Sequence, residues 1–285
     1  MYDTIYPFAK AVYRQLSELL QVPVFTERRL WTVFPSLQMK EAFLKKTTGN
    51  DYTEWPGAPE YEQFLDQPYG AAIVKGATVN LRALLPAYRR YLQAQEALLE
   101  MHLDPGALEI TAAGVFYGDI QAERVIFCNG AAAAALSFFR EVKFLPNKGE
   151  ALMIKVPGLQ TADIIKKSIT LVPQEKEELF WAGSSFVWDY EDDHPTAVQR
   201  EALEKSIAQL LKVPYEVAGH LSAIRPSGHD RRPVAGFHPQ HPAIGIFNGL
   251  GTKGCSLAPF MAAHFKDVLV NNAALMPEID LQRYF

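Results

Sequence analysis

Three glycines in Gly249-Leu-Gly-Thr-Lys-Gly254 hold the spacing G-x-G-x-x-G. They stand between an apolar run, Ile244-Gly-Ile-Phe247, and an apolar helical segment from about Ser256 to Val270. Glycines there let the backbone approach a ligand closely, and the start of the following helix adds unpaired N–H groups and positive partial charge. A phosphate, a carboxylate or a polarised carbonyl oxygen can be held at such a loop. The opening unit of a dinucleotide-binding domain is excluded, because it needs about 30 residues and an acid about 20 positions further on. Only Cys255 to Phe285 remain, and the tail from Asn271 is polar and broken by proline. A ligand loop and a plain strand-to-helix turn both stay open. Pro259 is expected near the helix start, where its missing N–H costs little.

The second chemistry-bearing segment is Ile224-Arg-Pro-Ser-Gly-His-Asp-Arg-Arg-Pro-Val-Ala-Gly236, rich in turns and in charge. Arg225 follows apolar Ala223 and Ile224 and precedes a proline, which suits a guanidinium fork presented to a carboxylate. An Arg225–Asp230 pair that fixes a loop accounts for the same spacing. Weaker candidates carry less. His238-Pro-Gln-His241 lies in a proline-broken loop, no H-E-x-x-H helix exists, and the histidines read as surface residues. The run Glu191-Asp-Asp-His194 could bind a cation, but ahead of a helix it more simply supplies negative charge at the N-terminus. Gly183-Ser-Ser lacks the G-x-S-x-G elbow of a serine hydrolase. Cys128 and Cys255 sit in no CxxC pair and read as isolated buried thiols.

The elements that must position these residues follow from periodicity. Phe8, Val12, Leu16, Leu19 and Leu20, widened by Ala9 and Tyr13, predict an amphipathic helix from about Pro7 to Leu20. Val-Pro-Val-Phe from Val22 and Leu30-Trp-Thr-Val-Phe34 predict two strands, and the polar stretch to Tyr69 predicts loops or short turns. Ala71 to Val79 reads as extended, and Asn80 then caps a helix with Leu81, Leu84, Leu85, Tyr88 and Leu92 on one face. Short β runs follow, ending in the wholly apolar Val125-Ile-Phe-Cys before Asn129-Gly130, the pattern of a buried parallel strand. Between Val142 and Phe186 the strands Ala151 to Val156, Ile169 to Val172 and Leu179 to Ala182 are joined by turns alone, which predicts an antiparallel sheet. Thr196 to Leu211 is the clearest helix, with Leu203, Ile207, Leu210 and Leu211 on one side.

Helix–strand alternation in one part and a meander in another predict a mixed α+β chain that crosses more than once between two interleaved regions. Residues 1–70 fall mostly on the antiparallel side, 71–135 in the α/β part, 136–220 in the antiparallel part, and 221–285 return to the α/β part with the glycine loop. The 285 residues, 48% of them hydrophobic, suffice for a large core and exclude disorder. A net charge of −4 argues against binding a nucleic-acid backbone. No run approaches the roughly 20 apolar residues of a membrane span, and no secretory leader is seen, so the expected location is the cytoplasm.

Taken in order, four segments resemble the FAD-dependent oxidoreductases of the D-amino-acid oxidase and glycine oxidase superfamily. Val125-Ile-Phe-Cys-Asn-Gly130 resembles the strand that ends beside the flavin nucleotide, and Leu145-Pro-Asn-Lys-Gly-Glu-Ala-Leu152 the strand after it. Ile224-Arg-Pro with Asp230, Pro233 and Gly236 resembles the family's Arg-Pro segment, and Asn248 to Pro259 the terminal glycine loop and its helix. The resemblance spans about Tyr69 to Val270. Ala223 stands where the family usually has glycine, and Asn129 where it has threonine or a small residue.

The resemblance implies a partial FAD-binding Rossmann-like region interleaved with an antiparallel substrate domain. Arg225 would bind the substrate carboxylate. Gly130 and the loop Gly249, Leu250, Gly251, Thr252, Lys253 and Gly254 would contact FAD, with backbone N–H groups of Gly251 to Gly254 near the flavin pyrimidine edge. The implied reaction is hydride transfer to flavin from the C–N unit of a small amine or amino acid, with no covalent catalyst and no metal. The family's own N-terminal strand, G-x-G-x-x-G turn and helix are expected to be missing before Met1, which would leave the chain inactive alone. A relic binding module and a phosphate-binding α/β protein are the alternatives.

Overall fold

The structure is a computed structural model that describes residues 2–56, 60–111 and 113–285. Gly57, Ala58 and Pro59, inside the stretch expected to form loops, lie outside the described residues. In chain order the elements are α1 (Tyr2–Leu20), β1 (Phe25–Val33), α2 (Leu37–Thr47), β2 (Thr53–Glu54), β3 (Ala71–Val79) and α3 (Leu81–Ala94). Then come β4 (Glu109–Thr111), β5 (Gly114–Tyr117), β6 (Ile120–Ala122), β7 (Val125–Phe127), β8 (Asn147–Lys155), β9 (Ile164–Lys166), β10 (Thr170–Pro173) and β11 (Leu179–Gly183). The chain closes with α4 (Ala197–Ala208), β12 (Glu216–Arg225), β13 (Val234–Phe237), β14 (Ile244–Asn248) and α5 (Gly254–Asn271).

These elements divide into two compact units. The first comprises Met1–Phe25, Val79–Asn147 and Ile224–Phe285, and the second Thr26–Thr78 and Lys148–Ala223. Thus α1 belongs to the first unit and nearly all of β3 to the second.

The second unit is built on an eight-stranded sheet of order β12-β8-β11-β10-β9-β1-β3-β2. Its β8-β11-β10-β9 stretch is antiparallel, as the turn-linked strands require, while β1 lies parallel to β9. Leu152, Ile154, Ile165, Leu171 and Phe180 form its core with Leu203 and Ile207 of α4. Thr196 caps α4, its side chain accepting from Gln199 N.

The first unit holds two small sheets, β13-β14-β7 and the meander β4-β5-β6. Phe127, Phe139, Val234, Ile244 and Ile246 are at the centre of one core cluster, and Phe265 of α5 packs with Ala235 and Ile279 in another. A third forms where Ala9 and Tyr13 of α1 meet Leu84 of α3.

Several expectations change. Between Val22 and Phe34 there is one strand, β1, instead of two. The polar stretch contains an eleven-residue helix, α2, in which no residue is buried, so hydrophobic periodicity had nothing to report. Its signals were the cap, with Ser36 accepting from Met39 N, and Lys45 and Lys46 in the last turn. In α3 the cap is as expected, Asn80 Oδ1 accepting from Ala83 N at 3.1 Å. Its buried residues, however, are Leu84 and Ala87, while Leu81, Leu85 and Tyr88 stand exposed.

Candidate functional site

Strands β7 and β14 are parallel neighbours, with Ile244 opposite Val125 and Ile246 opposite Phe127. Both therefore end on the same side, where open α/β sheets bind their ligands. After β7 the chain turns at Gly130 (φ 61°), and after β14 at Gly249 (φ 75°) and Gly251 (φ 52°). Asn248, buried at the end of β14, clasps the two turns: its Nδ2 donates to Gly130 O at 2.9 Å, and its Oδ1 accepts from Gly249 N at 2.8 Å.

The glycines of the terminal loop are not equivalent. A Cβ at Gly249 would stand 3.1 Å from Arg232 O and 3.2 Å from Val234 N, and one at Gly251 would stand 3.0 Å from Ser227 Oγ. Both also need a left-handed backbone, so the fold itself demands glycine at these two positions. Gly254 has ordinary helical φ (−50°), and a Cβ there would meet nothing within 4 Å. The space beside Gly130 is equally open. At Gly254, which the backbone does not require to be glycine, and at Gly130, the main chain is therefore open to close approach.

Helix α5 starts at Gly254 with no side-chain cap, so its first N–H groups receive no side-chain acceptor from the cap position. Pro259 lies in the second turn, not at the start as expected from the sequence. There it deprives the Cys255 carbonyl of its i+4 donor, and Tyr13 Oη of α1 donates to that carbonyl at 2.8 Å. Burial, reinforced by Cys255, raises the Tyr13 pKa to about 12, so the phenol keeps its proton.

Arg225 ends β12, and its Nη1 donates to Asn147 Oδ1 at 2.7 Å. Asn147 is only 2% exposed, and its Nδ2 donates to Ser227 Oγ at 3.0 Å. Leu145 N donates to Ser227 O at 2.7 Å, and Gly251 N to Pro226 O at 3.1 Å. Arg225 and the glycine loop, separate motifs in the sequence, are thus joined through Asn147, Pro226 and Ser227. Burial pulls the Arg225 pKa below the ordinary arginine value. Asp230 accepts from Arg232 N at 3.0 Å and pairs with Arg283 at 3.3 Å. The three residues that hold the candidate site together, Asn147, Ser227 and Asn248, carry no site signal of their own in the sequence. Each reads in sequence as an ordinary turn or strand-end polar residue, and only burial shows that it must find partners.

The weaker candidates resolve. Cys128 and Cys255 are free but exposed, which corrects their reading as buried thiols. His238 is 5% exposed, not a surface residue: its Nδ1 accepts from Gln240 N and His241 N, and its ring packs on Phe285. The 191–194 run is spent on local bonds, with His194 N donating to Asp192 Oδ1 and Lys148 Nζ to His194 O. No group of metal-ligating side chains that could hold an ion occurs among the described residues. None of the described helices is long and apolar enough to cross a membrane.

The family profile described as DAO, FAD dependent oxidoreductase, matches residues 5–267, and the chain belongs to that family. Among curated proteins it is 24% identical over 185 residues to a glycine oxidase of Bacillus licheniformis, a match covering 61% of this chain and 48% of the relative. The chain thus aligns with about half the length of that relative. Glycine oxidase from Geobacillus kaustophilus has a similar fold, with TM-score 0.77 and 20% identity over 98% of this chain and 80% of the other. Iminodiacetate oxidase from Chelativorans is similar at TM-score 0.76 and 20% identity, covering 98% and 82%. Glycine oxidase from Bacillus cereus gives 0.80 at 16% identity, covering 97% and 85%.

Proposed function

We propose that the protein is an FAD-dependent oxidase or dehydrogenase that oxidises the C–N bond of a small amino acid or amine. The observation that carries this reading is the joining of Arg225 to the glycine loop through Asn147 and Ser227, beside open space at Gly130 and Gly254. Gly130 and the loop from Gly249 through Leu250, Gly251, Thr252 and Lys253 to Gly254 would hold the flavin. Bound flavin supplies the hydride acceptor. Positive partial charge at the uncapped start of α5 would favour the negative charge of a reduced flavin held at the loop. Arg225 would take the substrate carboxylate and fix the Cα–N unit relative to the loop, a contribution of orientation more than of proton transfer. The names glycine oxidase and iminodiacetate oxidase support a small amino-carboxylate as the substrate class.

The test is direct. Purified protein mixed with FAD and gel-filtered should keep a visible flavin spectrum, and small amino acids should bleach it without oxygen. Arg225→Ala should raise KM sharply, lower kcat through lost orientation, and leave the flavin spectrum nearly unchanged. No retained flavin would refute the proposal, and loss of flavin in Arg225→Ala would make Arg225 a fold residue instead of a substrate anchor.

A further inference from the structure

Asn147 is the first residue of β8 and is 2% exposed, and both ends of its amide are engaged. Its Oδ1 receives Nη1 of Arg225 at 2.7 Å, and its Nδ2 reaches Ser227 Oγ at 3.0 Å. Ser227 is itself nearly buried, and its Oγ fills the space that a side chain on Gly251 would need. A burial site of this kind ordinarily takes an apolar residue, so the amide is explained by its two polar neighbours. Its chemistry is selective. An asparagine oxygen can orient a guanidinium without bringing in an opposing charge, whereas an aspartate there would form a charge-assisted pair with it.

We infer that Asn147 is a positioning residue for a carboxylate receptor at Arg225. It orients the guanidinium through an uncharged acceptor, adds no negative charge to compete with the ligand, and through Ser227 sets that group relative to Gly251. The inference rests on the assignment of Arg225 above and deepens it, since it makes the anion affinity of the site depend on the neutrality of residue 147.

The experiment is calorimetric titration of the 285-residue chain, with FAD present, by acetate and benzoate. Wild type, Asn147→Leu, Asn147→Asp, Ser227→Ala and Arg225→Ala are compared, with the flavin spectrum and the urea midpoint of each recorded alongside. Asn147→Leu should weaken carboxylate binding about tenfold, Asn147→Asp by a further tenfold or more, and Ser227→Ala by a few-fold. A merely structural role would lower the urea midpoint without ranking aspartate below leucine in anion affinity. Equal affinity of the aspartate and leucine variants, or wild-type affinity in both, would overturn the inference. If the leucine variant does not fold, the Asn147 side-chain amide resonance of the wild type, assigned from the aspartate variant, must shift on acetate addition. A resonance that stays still also overturns the inference. No binding by wild type, or unchanged binding by Arg225→Ala, removes the Arg225 assignment and this inference with it. Loss in Arg225→Ala with full affinity in both Asn147 variants removes this inference alone.

Discussion

Replacing Tyr13 by phenylalanine should destabilise the first unit by about 1–2 kcal/mol. Pro259 has no N–H, so the Cys255 carbonyl in α5 lacks its helical partner, and Tyr13 Oη supplies a donor at 2.8 Å. Phenylalanine keeps the buried ring and its stacking on Phe25 at 6.2 Å, so only the hydroxyl is lost. A net hydrogen bond contributes about 0.5–1.5 kcal/mol, and leaving this partly buried carbonyl without its donor adds a fraction of the about 1–3 kcal/mol that a fully buried one would cost. The urea midpoint should fall by roughly 0.5–1 M if the slope is that of an ordinary domain. All four tryptophans, Trp31, Trp55, Trp181 and Trp188, lie in the second unit. Tryptophan fluorescence therefore misses the event, and helical circular dichroism, to which α1, α3 and α5 contribute, is the better probe. Pro259→Ala restores an N–H to the same carbonyl, so Tyr13→Phe should cost about 1 kcal/mol less in that background. An equal cost in both backgrounds would show that the hydroxyl does not substitute for the missing helical bond.

Alkaline pH probes the same bond. With the folded pKa of Tyr13 raised to about 12, the unfolded state ionises first. The stabilisation is complete below about pH 10 and is lost as pH rises towards 12. The gap in urea midpoint between wild type and Tyr13→Phe should shrink over that window. Gly254→Ala, at an open position with helical φ, should stabilise the apoprotein by about 0.5–1 kcal/mol and weaken FAD binding. Gly251→Ala, with φ 52° and Ser227 Oγ 3.0 Å from the new Cβ, should instead destabilise it, and thermal melts with and without FAD separate the two. Glu150 is fully buried, accepts from Thr196 N and Oγ1, and lies 3.3 Å from Lys148. Glu150→Gln should cost the second unit about 3–5 kcal/mol by leaving the buried Lys148 charge uncompensated, read by tryptophan fluorescence in urea.

The motifs and most of the elements could be read from residue order. A wholly apolar run announced a buried strand at β7, turn-linked strands announced an antiparallel sheet, and Asn80 and Thr196 announced helix starts. Glycine spacing at 249–254 and the Arg-Pro step at 225–226 marked the two segments of the candidate site. These signals are local, because periodicity records which side of an element avoids water and small polar residues record where it begins. What such signals omit is the partner. That β7 and β14 pair in parallel, that Asn248 clasps Gly130 to Gly249, and that Asn147 joins Arg225 to Ser227 depend on segments brought together by folding. Where nothing is buried, as in α2, even the element left little periodic trace. Hydrophobicity can assign a residue to the interior, but a buried polar group has a role only through the atoms that meet it there, and those the tertiary structure alone decides.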